Sequence, residues 1–300
     1  MHIPDGFLHP LILAGTATLS AVAVAVAARK AQRELEESRF ALLGVTGAFV
    51  FAAQMVNFPL GFGTSSHLLG GMLLAVTLGL APAMVTMTAI LVVQALVFQD
   101  GGVLALGANV LNMAVAGIAA GYLPYALWSR GRLRWFAILA GGFLSVVASG
   151  AMAMAELVLS GVRIPAALLW SSAVLLTASG LLEGLLTLAV VRALRALQPS
   201  ALERAQVRRS QAVLGVLAVL LAGGIVAVAS EAPDVLDSLA DRVGIAERAR
   251  ALLTTPLAEY RLSWAPGSWW SQATAGLLGL ALTYGAGVAL ARALRRRRSA

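Results

Sequence analysis

Residues 41–99 contain not one Asp, Glu, Lys or Arg. A bilayer crossing needs about 20 apolar residues, so a run of this length is too long for one crossing. It is punctuated at Pro59-Leu60-Gly61-Phe62-Gly63 and again at Ala81-Pro82, and so divides into three spans near 40–58, 67–80 and 82–98, the middle one short. In hydrocarbon every backbone polar group needs an internal partner, which makes each span a helix. The composition agrees. Charged residues make up 12% of the chain, against about 25% in soluble domains.

The other spans follow from the same rule: 11–28, a fifth from the Asp100-Gly101-Gly102 turn to about Trp128, then 135–159, 167–191, 212–229 and 273–291. The expected fold is an all-α polytopic membrane protein with about nine transmembrane helices. The first span has no Lys or Arg before it, unlike a cleaved signal peptide. It is read as retained, and Met1 with it, because a bulky second residue, His2, disfavours removal of the initiator Met.

Nine spans put the ends on opposite sides. The loops at 29–39, 130–134 and 192–209, with the C-terminal tail, hold 17 Lys and Arg; the other side holds five. The basic side is cytoplasmic, so the N-terminus is expected outside and the C-terminus inside, in the cell (inner) membrane. This asymmetry accounts for the net charge of +8 through lipid anchoring, without nucleic acid. The chain divides into a seven-span unit at 1–197, a cytoplasmic linker at 198–209 and a two-span unit at 210–300. The last carries a long outer loop, 230–271, part of which reads as an interfacial helix.

Chemistry concentrates at the extreme start, Met1-His2-Ile3-Pro4-Asp5-Gly6. The Met1 amine and His2 amide nitrogen close a five-membered chelate ring on a metal, and His2 Nδ1 adds a six-membered one. Three coplanar nitrogens with an open fourth corner suit Ni(II), Cu(II) or low-spin Co(II) rather than Zn or Mg. Pro4 and the Asp5-Gly6 turn bend the segment back. On the same outer side lies the loop Asn57-Phe58-Pro59 … Gly63-Thr64-Ser65-Ser66-His67-Leu68-Leu69-Gly70-Gly71, in which His67 offers a fourth nitrogen. Asn57, Thr64, Ser65 and Ser66 can satisfy its irregular backbone. The chain has no Cys, so thiolate sites and disulfides are excluded.

Met-His-Ile-Pro-Asp-Gly, with Asn-Phe-Pro and the Gly-Thr-Ser-x-His-Leu-x-Gly-Gly loop, resembles the cobalt/nickel substrate-binding (S) components of energy-coupling-factor transporters over about residues 1–195. Ser66 stands where that family often has Gly. The resemblance implies Ni2+ or Co2+ as the transported ligand with no catalytic cofactor. It also implies Met1, His2 and His67 as metal ligands with Asp5 in support, and a transmembrane coupling subunit with cytoplasmic ATPases as partners. The last third is similar to the two-helix accessory partner of these transporters, although its Pro-Asp-Gly-Leu-Glu segment here reads Pro233-Asp234-Val235-Leu236-Asp237.

Other signals are weaker. His9 heads a span as an interfacial residue. Glu156, near a span end, is read as interfacial; Glu183, in mid-span, as a partner contact or an ion path. Gln54, Gln94, Asn109 and Asn112 read as interhelical glue, and Met152 and Met154 as packing. The stripe Gly44, Ala48, Ala52 would let a partner helix approach closely. The single lysine, Lys30, lies in no Gly-rich phosphate loop, so ATP hydrolysis by such a loop is excluded. The alternatives are a self-sufficient secondary divalent-metal permease, which needs an acidic or His relay, and an intramembrane hydrolase, for which paired carboxylates and a His dyad are lacking.

Overall fold

A computed structural model describes residues 1–34, 39–61, 63–196, 204–224, 226 and 229–296. It is mostly helical. In chain order it contains α1 (Pro10–Glu34), α2 (Phe40–Gln54), a hairpin of β1 (Phe58–Gly61) and β2 (Thr64–Ser66), α3 (Gly71–Leu78), α4 (Leu80–Phe98), α5 (Leu106–Trp128), α6 (Arg134–Leu159), α7 (Ala166–Ala196), α8 (Arg204–Gly223), α9 (Val235–Val243) and α10 (Trp269–Arg296). Among the described residues six helices, α1, α4, α5, α6, α7 and an α10 core of Trp270–Arg295, are long and apolar enough to cross a membrane. Phe40–Gln54 and Gln211–Gly223 are shorter apolar helices. Much of the expected linker at 198–209 falls on 197–203, outside the described residues, and 204–209 open α8.

Three expectations need adjustment. The loop after α2 is an antiparallel hairpin, pairing Phe58 with Ser66 and Pro59 with Ser65, so the chain is not wholly helical. The span expected at 67–80 is helical only over the eight residues of α3. Residues 67–70 enter it without helical structure. Gly70, at φ 75°, turns the chain in the left-handed region that a β-carbon disfavours, and Gly79 (φ 92°, ψ 164°) separates α3 from α4. The outer loop does hold a helix, α9, but Val235, Leu236, Leu239 and Ala240 are buried against the bundle.

The stripe on α2 does admit a neighbouring helix, and that helix is the chain's own α10. A β-carbon at Gly44 would lie 2.9 Å from Tyr284 and Val288, and one at Gly279 would lie 2.3 Å from Phe51. Ala48 and Ala52 are buried in the same core. Leu43, Phe51 and Met87 share one apolar cluster with Leu214, Ala218 and Ala275 of the last helices.

Where α6 meets α7, a β-carbon at Gly142 would fall 2.6 Å from the Gly184 Cα, which is backbone and cannot swing aside. Gly142→Ala should therefore push the helices apart, at about the 1–3 kcal/mol of an overpacked core. Gly15, with nothing within 4 Å, is the comparison. Thermal unfolding in detergent should show a lower midpoint for Gly142→Ala and an unchanged one for Gly15→Ala. Equal midpoints would mean that these glycines do not set the α6–α7 distance.

Candidate metal centre

The first nine residues are fastened to the bundle. Ile3 forms a reciprocal pair with Asn109, whose Oδ1 accepts from Ile3 N at 2.8 Å and whose Nδ2 donates to Ile3 O at 3.0 Å. Ile3 O also accepts from Gly102 N at 2.9 Å. The Asp5 carboxylate accepts from Val103 N and Ala105 N, both at 2.9 Å. Gly102 is required here, because a β-carbon would sit 2.1 Å from Asp5 Oδ1. Ile3, Phe7 and Leu8 complete the anchor in an apolar cluster with Leu157, Leu236 and Leu239. Chain ends are usually loose; this one has Met1 8% and His2 7% exposed.

The His67 side is built from three elements. The hairpin docks on the segment between α8 and α9 through Ser65, whose N donates to Pro233 O at 2.8 Å and whose Oγ donates to Ala232 O at 2.6 Å. Thr64 Oγ1 reaches Ser238 Oγ at 3.4 Å, and Ser66 Oγ reaches His67 O at 3.5 Å. Asn57 contributes its carbonyl, accepting from Ser230 N at 2.8 Å. The backbone beyond His67 is satisfied from inside the bundle. Glu183 on α7 accepts from Leu69 N (2.7 Å) and Gly70 N (2.9 Å), and Gln54 on α2 donates to Leu69 O (2.7 Å). Both oxygens of Glu183 thus hold this loop.

These supports fix a tautomer. His67 Nδ1 lies 3.1 Å from Leu68 O, and a carbonyl only accepts, so the proton is on Nδ1 and the lone pair is on Nε2. That Nε2 is 3.1 Å from the Met1 amine. The amine also donates to Asp234, whose other oxygen caps α9 by accepting from Leu236 N (2.7 Å) and Asp237 N (2.9 Å). The His2 ring stacks on His67, with centroids 5.8 Å apart and planes 13° from parallel. Its Nδ1 is 3.1 Å from Asp100 Oδ1, and its buried Nε2 has no partner. Asp100 also accepts from Tyr260, which in turn accepts from Gln94 at 3.1 Å.

The charges follow from burial and pairing. Burial pulls the Met1 amine's pKa down, but Asp234 outweighs it and the net shift is upward. Burial alone would raise Asp100 and Asp234; His2 and the Met1 ammonium respectively reverse this and hold both below the usual carboxylate range. Asp237 is raised, first by the charge of Asp234 and then by burial.

Among the described residues no three His, Asp or Glu side chains form a metal-holding group. A nitrogen site here has to draw on the main chain, as the sequence reading requires. Asp100, Asp234, Asn109 and Tyr260 were not singled out as belonging to this centre. The available signals were Asp100, the first charge after the uncharged run, and Asp234, in the altered Pro-Asp-Gly-Leu-Glu segment. His9 stays exposed, its N donating to Ser160 Oγ at 3.0 Å. Glu156, expected at the interface, is buried and accepts from Asn112 Nδ2 at 2.8 Å.

Comparison with known proteins gives a consistent picture. Residues 208–296 match the PDGLE domain, and residues 2–201 match the family described as the cobalt uptake substrate-specific transmembrane region. A relative from Haloquadratum walsbyi is 50% identical over 123 residues, which is 41% of this chain and 56% of that protein. A probable fused nickel transport protein of Lactiplantibacillus plantarum is 34% identical over 251 residues, 76% of this chain and 75% of that protein. The crystal structure of a truncated transition metal transporter superposes with a TM-score of 0.59 at 31% identity, covering 65% of this chain and 99% of that one. This chain is a multi-pass membrane protein that belongs to the cobalt uptake substrate-specific transmembrane family, with a PDGLE domain fused behind it.

Proposed function

We propose that the chain captures Ni2+ or Co2+ at the outer face through four nitrogens and delivers it for ATP-driven import by an energy-coupling-factor transporter. The ligands are the Met1 amine, the His2 amide nitrogen, His2 Nδ1 and His67 Nε2. One observation carries this reading: the Met1 amine and His67 Nε2 are 3.1 Å apart and buried. Two donors at right angles on one metal, with bonds of about 2.0 Å, are roughly 2.8 Å apart. The amine and Nε2 therefore stand close to the spacing of neighbouring corners of a plane. Loading exchanges Asp234 for metal at the amine, and Asp100 for metal at His2 Nδ1. In this reading Asp5, Asn57, Thr64, Ser65 and Ser66 act by fastening the two ligand-bearing segments.

The chain crosses the membrane nine times in this proposal, residues 67–70 with α3 forming the third crossing, and Met1 lies outside. The basic residues favour that orientation. Residues 1–197 form the metal-binding unit and 210–300 the accessory unit. A transmembrane coupling subunit and cytoplasmic ATPases supply the energy. The rival permease needs a free intramembrane relay, and the strongest candidate, Glu183, has both oxygens occupied by backbone N–H groups.

The terminal amine is the feature that distinguishes this chelate from a side-chain site. Protein tagged at the C-terminus should bind Ni2+, whereas an N-terminal tag or His67→Ala should weaken binding more than the roughly 10–100-fold typical of losing a supporting group. Equal affinity for the two tagged forms, measured by calorimetry, would remove Met1 from the ligand set. The same chelate releases one proton from the amine and one from the amide. While the amine is protonated, below its raised pKa, affinity should climb roughly 100-fold per pH unit. A flat profile between pH 6 and 8 would contradict main-chain ligation. For orientation, Ser263→Cys in this Cys-free chain should react with an impermeant thiol reagent on intact cells and Ser129→Cys should not; the reverse pattern would place the centre on the inner side.

A further inference from the structure

Beside the nitrogen centre lies a cavity of about 500 Å³, open to solvent, whose wall includes His2, His67, Asp100, Asp237 and Glu259. A second cavity of about 380 Å³ adjoins it and shares Pro4, Asp237 and Glu259. Six waters occupy roughly 180 Å³ at about 30 Å³ each, so the first space accommodates a fully hydrated divalent ion.

The charges around it are unequal in their engagement. Of the five acids on the wall, Asp100 is held by His2 and Tyr260, Asp234 by Met1, and Glu231 by Arg261 at 3.0 Å. Neither Asp237 nor Glu259 has an ion pair among the described residues; the Asp237 carboxylate accepts from the Asp234 amide, and Glu259, exposed, has no hydrogen bond there. Two acids without a basic side chain paired to them run against a chain whose net charge is +8. Among the described residues, the non-glycine ones with left-handed backbone, Gln99, Glu259 and Tyr260, all border this cavity. Strain of that kind persists where surrounding structure imposes it.

A separate observation points to the ligand. Every other side-chain or terminal nitrogen of the centre is engaged: the amine by Asp234, His67 Nε2 by the amine, His67 Nδ1 by Leu68 O, and His2 Nδ1 by Asp100. His2, 7% exposed, forms part of the cavity wall with its Nε2 buried and unpartnered.

We propose that this cavity is a recruitment site for hydrated divalent transition-metal ions, held through water by Asp237 and Glu259 and passed to the chelate by way of His2 Nε2. The proposal deepens the chelate reading and rests on it. Carboxylates hold a hydrated cation without stripping it and discriminate little among divalent ions, whereas a planar nitrogen set discriminates strongly. Recruitment thus sets how fast metal arrives, and the chelate sets which metal stays. Mn2+, an oxygen-preferring ion, should enter the cavity without proceeding to the nitrogens.

The test uses the full chain in detergent with NiCl2 and MnCl2 as probes. Stopped-flow association of Ni2+ should be about tenfold slower in Asp237→Asn/Glu259→Gln, with a flatter dependence on ionic strength, since focused charge accelerates capture by about 10–10³. Electron paramagnetic resonance should detect bound Mn2+ in His67→Ala, and lose it when the two acids are also neutralised. Unchanged association and salt dependence, or Mn2+ binding indifferent to the two acids, would overturn the recruitment site. So would a double variant whose only change is faster dissociation, which would mark damage to the chelate. A planar nickel spectrum persisting in N-terminally tagged protein would instead sink the chelate reading, leaving the rate comparison to judge the cavity.

Discussion

An ammonium cannot be taken out of water without a partner, and the rest of this structure is arranged around meeting that requirement at Met1. The amine is buried between His67 and Asp234. Asp234 belongs to the far end of the sequence and is itself fixed by capping α9. Removing either side of such a pair leaves a buried charge unmet, which is far more costly than never having buried it. The first residues are therefore held by the last third of the chain as firmly as by their neighbours in the bundle. The Arg250 amide, which donates to Asp5 O at 3.0 Å, repeats the connection a few residues on.

The second constraint is the backbone at 67–70, irregular within a bundle of apolar helices. Non-helical chain survives there only when its polar groups are satisfied by protein. Glu183 takes two N–H groups, and Gln54, itself accepting from Gln94 at 2.9 Å, gives to the Leu69 carbonyl. The consequence reaches the centre through Leu68. Its carbonyl holds the His67 Nδ1 proton and so presents the Nε2 lone pair to the amine. An acid in mid-span thus orients a histidine that it does not touch.

Much of this was legible in the residues. The uncharged run predicted a helical membrane protein, and the opening Met-His with the downstream His67 loop identified the two segments that meet. Span boundaries in α6 and α7 follow hydropathy closely, because lipid contact and composition are directly coupled. The short α3 was not readable in the same way. Hydropathy sees Leu68 and Leu69 as span residues, whereas their backbone conformation depends on Glu183, more than a hundred positions away. Asp100 and Asp234 were missed for a related reason. In sequence each looks like a turn or cap residue, and only tertiary packing brings a carboxylate oxygen of Asp100 to His2 and the second oxygen of Asp234, which does cap α9, to the Met1 amine. The stripe on α2 was recognised as a helix contact; what the pattern could not contain was whether that helix lay in another subunit or in the same chain.

That last point bears on why the two units share one polypeptide. A flexible tether raises the effective concentration of one unit beside the other, but it leaves their relative position free. Here α10 lies in the groove of α2, with Gly279 against Phe51 and Gly44 against Tyr284 and Val288, at separations that exclude a single added methyl group. Packing of that density resists sliding, because interiors deform little without losing contacts. The segment between α8 and α10 is then suspended from two helices already fixed on the bundle. Asp234, Tyr260 and Glu259 inherit that position. Hydrogen bonding at the centre is sensitive to a few tenths of an ångström, so the placement of these three side chains depends less on the covalent link at 198–209 than on the apolar seam between α2 and α10.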